Sequence, residues 1–351
     1  MTEKSYGGNN GVREHAGGKI SKDKSISKPI NNLKKTKTAA ASTSKSDNLN
    51  IDNNNSNLDE FESYIKAGEI AKKVVEYAKQ LIKPDMLLLE IAQKIHKKIE
   101  ELGGESAFPV NLSIDDIAAH YHPTLEDTTK ATGLLKVDIG VHVNGFIADT
   151  AFSLDLTPDK KYKELIEASQ EALQEALSIL KNNPTLNEIG DIIQKTIQKK
   201  GFLPVVNLSG HELGQYNVHA GITIPNHANN NQNKIEQGSY AIEPFATSGD
   251  GKIYEGQASN IYQILTPKNT RSPSARKILE YIWEKYQTLP FSLRELQEKF
   301  GNISRLAIRE LEQNKIIHSY PQLIETSHKP VSQAEHSFIK TKSGEIIIFT
   351  K

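Results

Sequence analysis

The sequence predicts an α+β fold in which paired helices cover a mixed or antiparallel sheet. Three observations predict it. Amphipathic stripes occur two at a time near residues 58–102 and 159–200, alternating runs are joined by the turn pairs Asn144-Gly145 and Ser343-Gly344, and a helix-rich segment at 271–330 interrupts the pattern.

In chain order, Tyr64, Ala67, Ile70, Ala71, Val74, Val75, Ala78 and Ile82 recur at helical spacing, and Pro84 ends that helix. A second helix over about 86–102 stops at Gly103-Gly104, as a glycine cap requires. The run 108–113 leads into 114–121, whose alanines allow close packing. Residues 134–143 and 146–153 alternate on either side of Asn144-Gly145, a strong hairpin signal. Helices are predicted at about 159–181 and 186–200, strands at 203–208, 239–244 and 260–265, and a last hairpin at 335–341 and 345–350. Within 271–330, helices at 275–287, 292–300 and 303–314 and a ribbon at 316–326 follow the order of a winged helix. Ten Lys/Arg against seven Asp/Glu there form a weak electrostatic footprint, which favours a structural subdomain over a DNA reader.

The 351 residues balance 43 Lys+Arg against 43 Asp+Glu, so coating nucleic acid or an anionic membrane is not the main task. There is no cysteine, which excludes disulfides, thiolate zinc sites and a cysteine nucleophile; any metal site must use His, Asp and Glu. No apolar run approaches the roughly 18 residues of a membrane span, and a cytoplasmic protein is expected. Residues 1–57 carry ten Lys/Arg and five Asp/Glu with one aromatic, Tyr6, and are expected to be a disordered basic tail. The tail is either a solvated leader or a dock for an RNA-rich surface such as the ribosome.

Chemistry enters at the first hairpin. With a two-residue loop Val143 faces Phe146, so Asp138 lies opposite Ala151, and the period of two puts Asp138 and Asp149 on one face as diagonal neighbours. Such neighbours lie about 7 Å apart, close enough for two carboxylates to share a metal pair. The other face holds Val137, Ile139, Val141, Val143, Phe146 and Ala148, suited to packing under helices. A solvated polar face is the alternative reading of the two aspartates. Three further oddities point toward a cluster: His211 and His219 in a glycine-bounded loop, Glu243 within an apolar strand, and Glu335 in the terminal hairpin.

At these residues the chain resembles a type II methionine aminopeptidase of the pita-bread metallopeptidases. The resemblance is carried by the strings at 107–113, 118–121, 136–142, 145–151, 209–211, 218–221, 243–247 and 333–336, in the family's order along residues 58–351. It implies a pita-bread fold over 58–270 and 331–351, with 271–330 as a winged-helix-like insertion. It also implies two divalent ions (Co, Mn, Fe or Zn) held by Asp138, Asp149, His211, Glu243 and Glu335, with Asp149 and Glu335 bridging. Such a pair activates water for attack on a peptide carbonyl. Glu243 is a candidate proton shuttle, a role that Glu335 could share; by the same resemblance His120 and His219 contact the peptide, and Phe108 and Val218 line the slot for the methionine side chain. The implied activity is removal of the N-terminal methionine from nascent chains, with small second residues preferred, by a monomer. Ala334 departs from the family's large aromatic before the bridging Glu, and Asp85 stands where glycine is typical. The competing readings are a non-catalytic scaffold of this fold that binds RNA or protein, and a proline-specific dipeptidase or aminopeptidase P; the five ligand-type residues and the absence of a folded N-terminal domain weigh against them.

Overall fold

The computed structural model describes residues 58–266, 268 and 270–351. The expected basic tail at 1–57 lies outside the described residues.

Helix α1 (Glu60–Leu81) starts from a capping box in which Asp59 accepts from the Glu62 amide and Glu62 accepts from that of Asp59, satisfying donors that a helix start leaves free. Helix α2 (Leu88–Glu101) follows, ending at Gly103, whose φ of +80° favours a residue without a Cβ. Next come β1 (Glu105–Ser106), β2 (Asn111–Ile114), β3 (Ile117–Ala119) and the long hairpin β4 (Leu134–Val143) and β5 (Phe146–Asp155). The predicted register holds: Val143 pairs with Phe146 and Asp138 with Ala151. Strands β1, β2 and β5 all pair antiparallel with β4. One face of this sheet, Val137, Ile139, Val141, Val143 and Ala148, is buried under Ile70, Val74, Ile91 and Ile95 of α1 and α2. Each fully buried aliphatic side chain contributes about 1.5–3 kcal/mol relative to exposure, so this face is a main hold of the hairpin on its helices.

A second layer repeats the plan. Helices α3 (Lys163–Ile179) and α4 (Leu186–Lys199) precede β6 (Leu203–Pro204), β7 (Ser209–Leu213), β8 (Thr223–Pro225), β9 (Gly238–Ile242), β10 (Phe245–Thr247) and β11 (Ile253–Ile264). After an insertion come β14 (Val331–Gln333), β15 (His336–Lys340) and β16 (Ile346–Ile348), in a five-stranded sheet of order β16-β15-β9-β7-β8 and a short sheet β14-β10-β6. Leu165, Leu173, Leu177, Ile189 and Ile193 of the helices bury against Tyr240, Ile242 and Phe338.

The insertion supplies α5 (Pro273–Tyr286), β12 (Phe291–Ser292), α6 (Leu293–Phe300), α7 (Ile303–Gln313) and β13 (Ile317–Glu325). All three predicted helices form. The strand partner of β13 is β11, from before residue 271, and β13 also pairs with β3, so the insertion is woven into a four-stranded sheet with the main body. Strand β6 is shorter than the run predicted at 203–208: the Val205 amide still donates to the Phe245 carbonyl (3.0 Å), but the Val206 amide turns to the Gly251 carbonyl (2.9 Å).

The two layers meet along β5 and the β14–β15 segment, where side-chain hydroxyls do the joining. Thr150 Oγ1 donates to the Glu335 carbonyl (3.0 Å), Ser153 Oγ donates to the Gln333 carbonyl (2.8 Å), and the Gln333 amide donates back to Ser153 Oγ (2.9 Å). The Glu335 amide donates to the Ala151 carbonyl at 3.0 Å. Asp149 and Glu335 therefore face each other across this seam.

Candidate metal centre

Strand alternation puts Asp138 and Asp149 on the face of the first hairpin away from its helices, toward the seam. His211 belongs to β7, where it pairs with Ala241; the sequence had suggested a loop. The glycines that suggested a loop serve close packing instead: a Cβ on Gly210 would lie 2.3 Å from the Ala241 carbonyl oxygen. Glu243 follows β9 and Glu335 lies between β14 and β15. Atoms of Asp149, His211 and Glu335 come within 4.8 Å of one another. His211 Nε2 lies 3.8 Å from Asp149 Oδ2 and 3.7 Å from Glu243 Oε1. Gln333 Nε2 donates to Glu243 Oε2 at 3.4 Å.

The electrostatics ask for cations. Burial pushes the Asp138 carboxyl up to about 7. Asp149 is raised well above the usual carboxylate range by burial and then by the charge of Asp138; Glu243 and Glu335 are raised by burial and then by their carboxylate neighbours. Asp138 Oδ1, Asp149 Oδ1 and Glu335 Oε2 are buried without a hydrogen-bond partner among the described residues. Buried carboxylate oxygens left without donors are costly. Two divalent cations offset four such charges, and an oxygen-rich set with one imidazole suits Mn, Fe or Co and tolerates Zn. His211 is held near 3, first by burial and then by the neighbouring His219, so the ring is neutral and offers a lone pair.

These side chains open onto a cavity of about 390 Å³. His120, His219, Phe108 and Val218 all line it. The His219 ring stands edge-on to that of His211, 4.5 Å between centroids. Phe108 lies over Gly140, where an added Cβ would come 2.3 Å from the ring. His120 has φ +66°, strained for a residue with a side chain, and its Nδ1 lies 3.1 Å from the Pro321 carbonyl. A carbonyl only accepts, so Nδ1 carries the proton. Burial lowers this imidazole to about 4, leaving Nε2 as an acceptor. His122 and His142 are buried and do not line the cavity.

Sequence reasoning missed part of the wall. Ile261, Pro290, Tyr320 and Leu323 line the cavity from β11, β13 and the segment before β12. No local signal marks them, because an apolar residue in a strand or an inserted segment reads as that segment's own core.

A sequence profile of metallopeptidase family M24 matches residues 62–278. The methionine aminopeptidase of Methanocaldococcus jannaschii is 42% identical over 290 residues, covering 82% of this chain and 97% of the relative. Among solved structures, a thermophilic Arx1 superposes with a TM-score of 0.69 at 16% identity, covering 82% of this chain and 89% of that one. A methionine aminopeptidase from Thermotoga maritima superposes with a TM-score of 0.59 at 18% identity, covering 83% and 96%. At such identities these two structures speak for the fold alone, and that fold is the pita-bread one.

Proposed function

The chain belongs to metallopeptidase family M24 and removes N-terminal methionine from polypeptides with the help of divalent metal ions; from that premise we propose which of its residues do the work. Asp138, Asp149, His211, Glu243 and Glu335 would hold two ions. The observation that carries the assignment is the convergence of four buried, mutually repelling carboxylates and one neutral imidazole at the cavity floor. When bound, the ions supply Lewis acidity toward the scissile carbonyl and acidify a water.

The remaining roles belong to side chains. Glu243, steadied by Gln333, takes the proton from the attacking water and passes it to the departing amine. His120, with Nδ1 committed to Pro321, accepts at Nε2 from an N–H of the peptide. His219, which makes no such bond among the described residues, donates to the oxygen on which charge develops. Phe108 and Val218 form the apolar slot that takes a thioether side chain. On the same reading, small second residues are preferred.

The insertion at 271–330 completes the slot rather than serving as a separate binding unit, since Pro290 and Tyr320 reach the cavity. The natural substrates are nascent chains, met by a cytoplasmic monomer. Residues 1–57, with ten Lys/Arg against five Asp/Glu, are the part of the chain through which docking on the ribosome would run. Among the described residues no helix is long and apolar enough to cross a membrane.

Purified protein loaded with each candidate metal is assayed on Met-Ala-Ser and Ala-Pro peptides, and bound metal is counted by mass spectrometry. Two ions per chain and cleavage of Met-Ala-Ser alone are expected, and Asp149→Ala should lose both. Full activity in Asp149→Ala would sink the ligand assignment. Co-sedimentation with ribosomes, with and without residues 1–57, tests the tail.

A further inference from the structure

We propose that Tyr216, which does not line the cavity, is a positioning residue for the substrate wall made by Val218 and His219, and that it ties that wall to the insertion. The inference rests on the reading of Val218 and His219 given above.

Val218 and His219 follow a tight turn in which the Gly214 amide donates to the Asn217 carbonyl (2.8 Å) and the Asn217 amide donates back to Gly214 (3.1 Å). Gln215 and Tyr216 form its tip. Tyr216 has φ +54°, a conformation that turns normally give to glycine or asparagine. An aromatic residue persists there only where its surroundings hold it.

They do so from two sides. The Tyr216 amide donates to the Gly145 carbonyl (2.8 Å), and Gln215 Nε2 donates to the Asn144 carbonyl (2.9 Å). That anchors the tip to the turn of the hairpin bearing Asp138 and Asp149. From the other side Thr288 Oγ1 donates to the Tyr216 carbonyl, two residues before cavity-lining Pro290. The ring closes over Gly145, where an added Cβ would lie 2.3 Å from Tyr216 Cε2, and it stands edge-on to His142 at 5.6 Å. The phenol oxygen has no hydrogen-bond partner among the described residues, so the ring's bulk, rather than its hydroxyl, does the holding. One residue thus joins the three parts: its ring and amide hold the carboxylate hairpin, its carbonyl takes the bond from the insertion, and its chain leads into the His219 segment.

The test measures kcat and KM on Met-Ala-Ser and Leu-Ala-Ser for the metal-loaded full chain, together with Tm and bound metal. Tyr216→Gly removes the ring while relieving the positive φ. It should keep its metal and a Tm near wild type, lose about 10- to 100-fold in kcat/KM, and discriminate less between methionine and leucine. Tyr216→Phe should restore both rate and discrimination. Thr288→Val should move both in the same direction as Tyr216→Gly, and the double variant should be less than additive; this pair carries the test if Tyr216→Gly folds poorly. Wild-type kinetics in Tyr216→Gly, or a loss that follows Tm or metal content equally for both peptides, overturns the proposal. His219→Ala is run alongside: if it leaves turnover untouched, the reading of the wall itself falls, and this inference with it.

Discussion

Ser337 Oγ is bonded to both ends of Asp149, accepting from its amide at 2.9 Å and donating to its carbonyl at 2.7 Å. The two residues lie in different sheets, 188 positions apart. A single buried hydroxyl therefore fixes the backbone of a central carboxylate relative to the strand that follows Glu335.

Ser337→Ala leaves a buried amide and carbonyl short of a partner, a cost of about 1–3 kcal/mol per group. It should lower metal affinity by about 10- to 100-fold, as loss of outer hydrogen bonds does elsewhere. Titration of metal-free protein by calorimetry checks this; unchanged affinity would mean the seam is held without the hydroxyl.

Metal removal should make stability depend on pH. The four carboxyls are raised in the folded chain, Asp138 to about 7 and the others well above their ordinary values. A raised acid favours the folded state below its unfolded value near 4 and loses that advantage as pH climbs through the folded value. Chelator-stripped protein should therefore melt at falling temperatures from pH 5 to pH 8. Added metal should raise Tm more at pH 8 than at pH 5. A pH-independent gain would contradict a cation-compensated cluster.

Gly140→Ala tests the slot. The new methyl would strike the Phe108 ring, and overpacking of this kind costs about 1–3 kcal/mol. With Phe108 displaced into the cavity, KM for Met-Ala-Ser should rise roughly tenfold while bound metal is retained, a loss of the size of one ill-fitting methylene. An unchanged KM would show that Phe108 does not shape the slot.

His120→Ala should lower kcat by about 100-fold without changing metal content, since its acceptor atom is assigned to the peptide. Because burial holds this imidazole near 4, its protonation should not limit the rate between pH 6 and 8. A limb in the kcat profile near pH 6.5 that vanishes in His120→Gln would argue against the neutral form.

Deleting residues 1–57 should leave turnover of short peptides unchanged, since the lined cavity is built from residues 108 to 335. A large loss in a peptide assay would make the tail part of the enzyme.

Much was legible in order along the chain, for a local reason. The Asn144-Gly145 turn dictates a two-residue loop, and the period of two then puts Asp138 opposite Ala151 and on one face with Asp149. The helix pairs followed from stripes of three and four, and the absence of cysteine already demanded a site of carboxylates and imidazole. What local pattern could not supply was convergence. His211 was misjudged as a loop residue because Gly210 looks like a breaker until β9 is laid against it. The seam hydroxyls, the insertion residues in the cavity wall and the clasp on Tyr216 all join positions tens to hundreds of residues apart. Period and turn chemistry act over a few residues, so the sequence by itself determined the elements and the type of site. Only the packing of two sheets and an insertion decided which side chains share one cavity, because contacts of long separation depend on how the layers close.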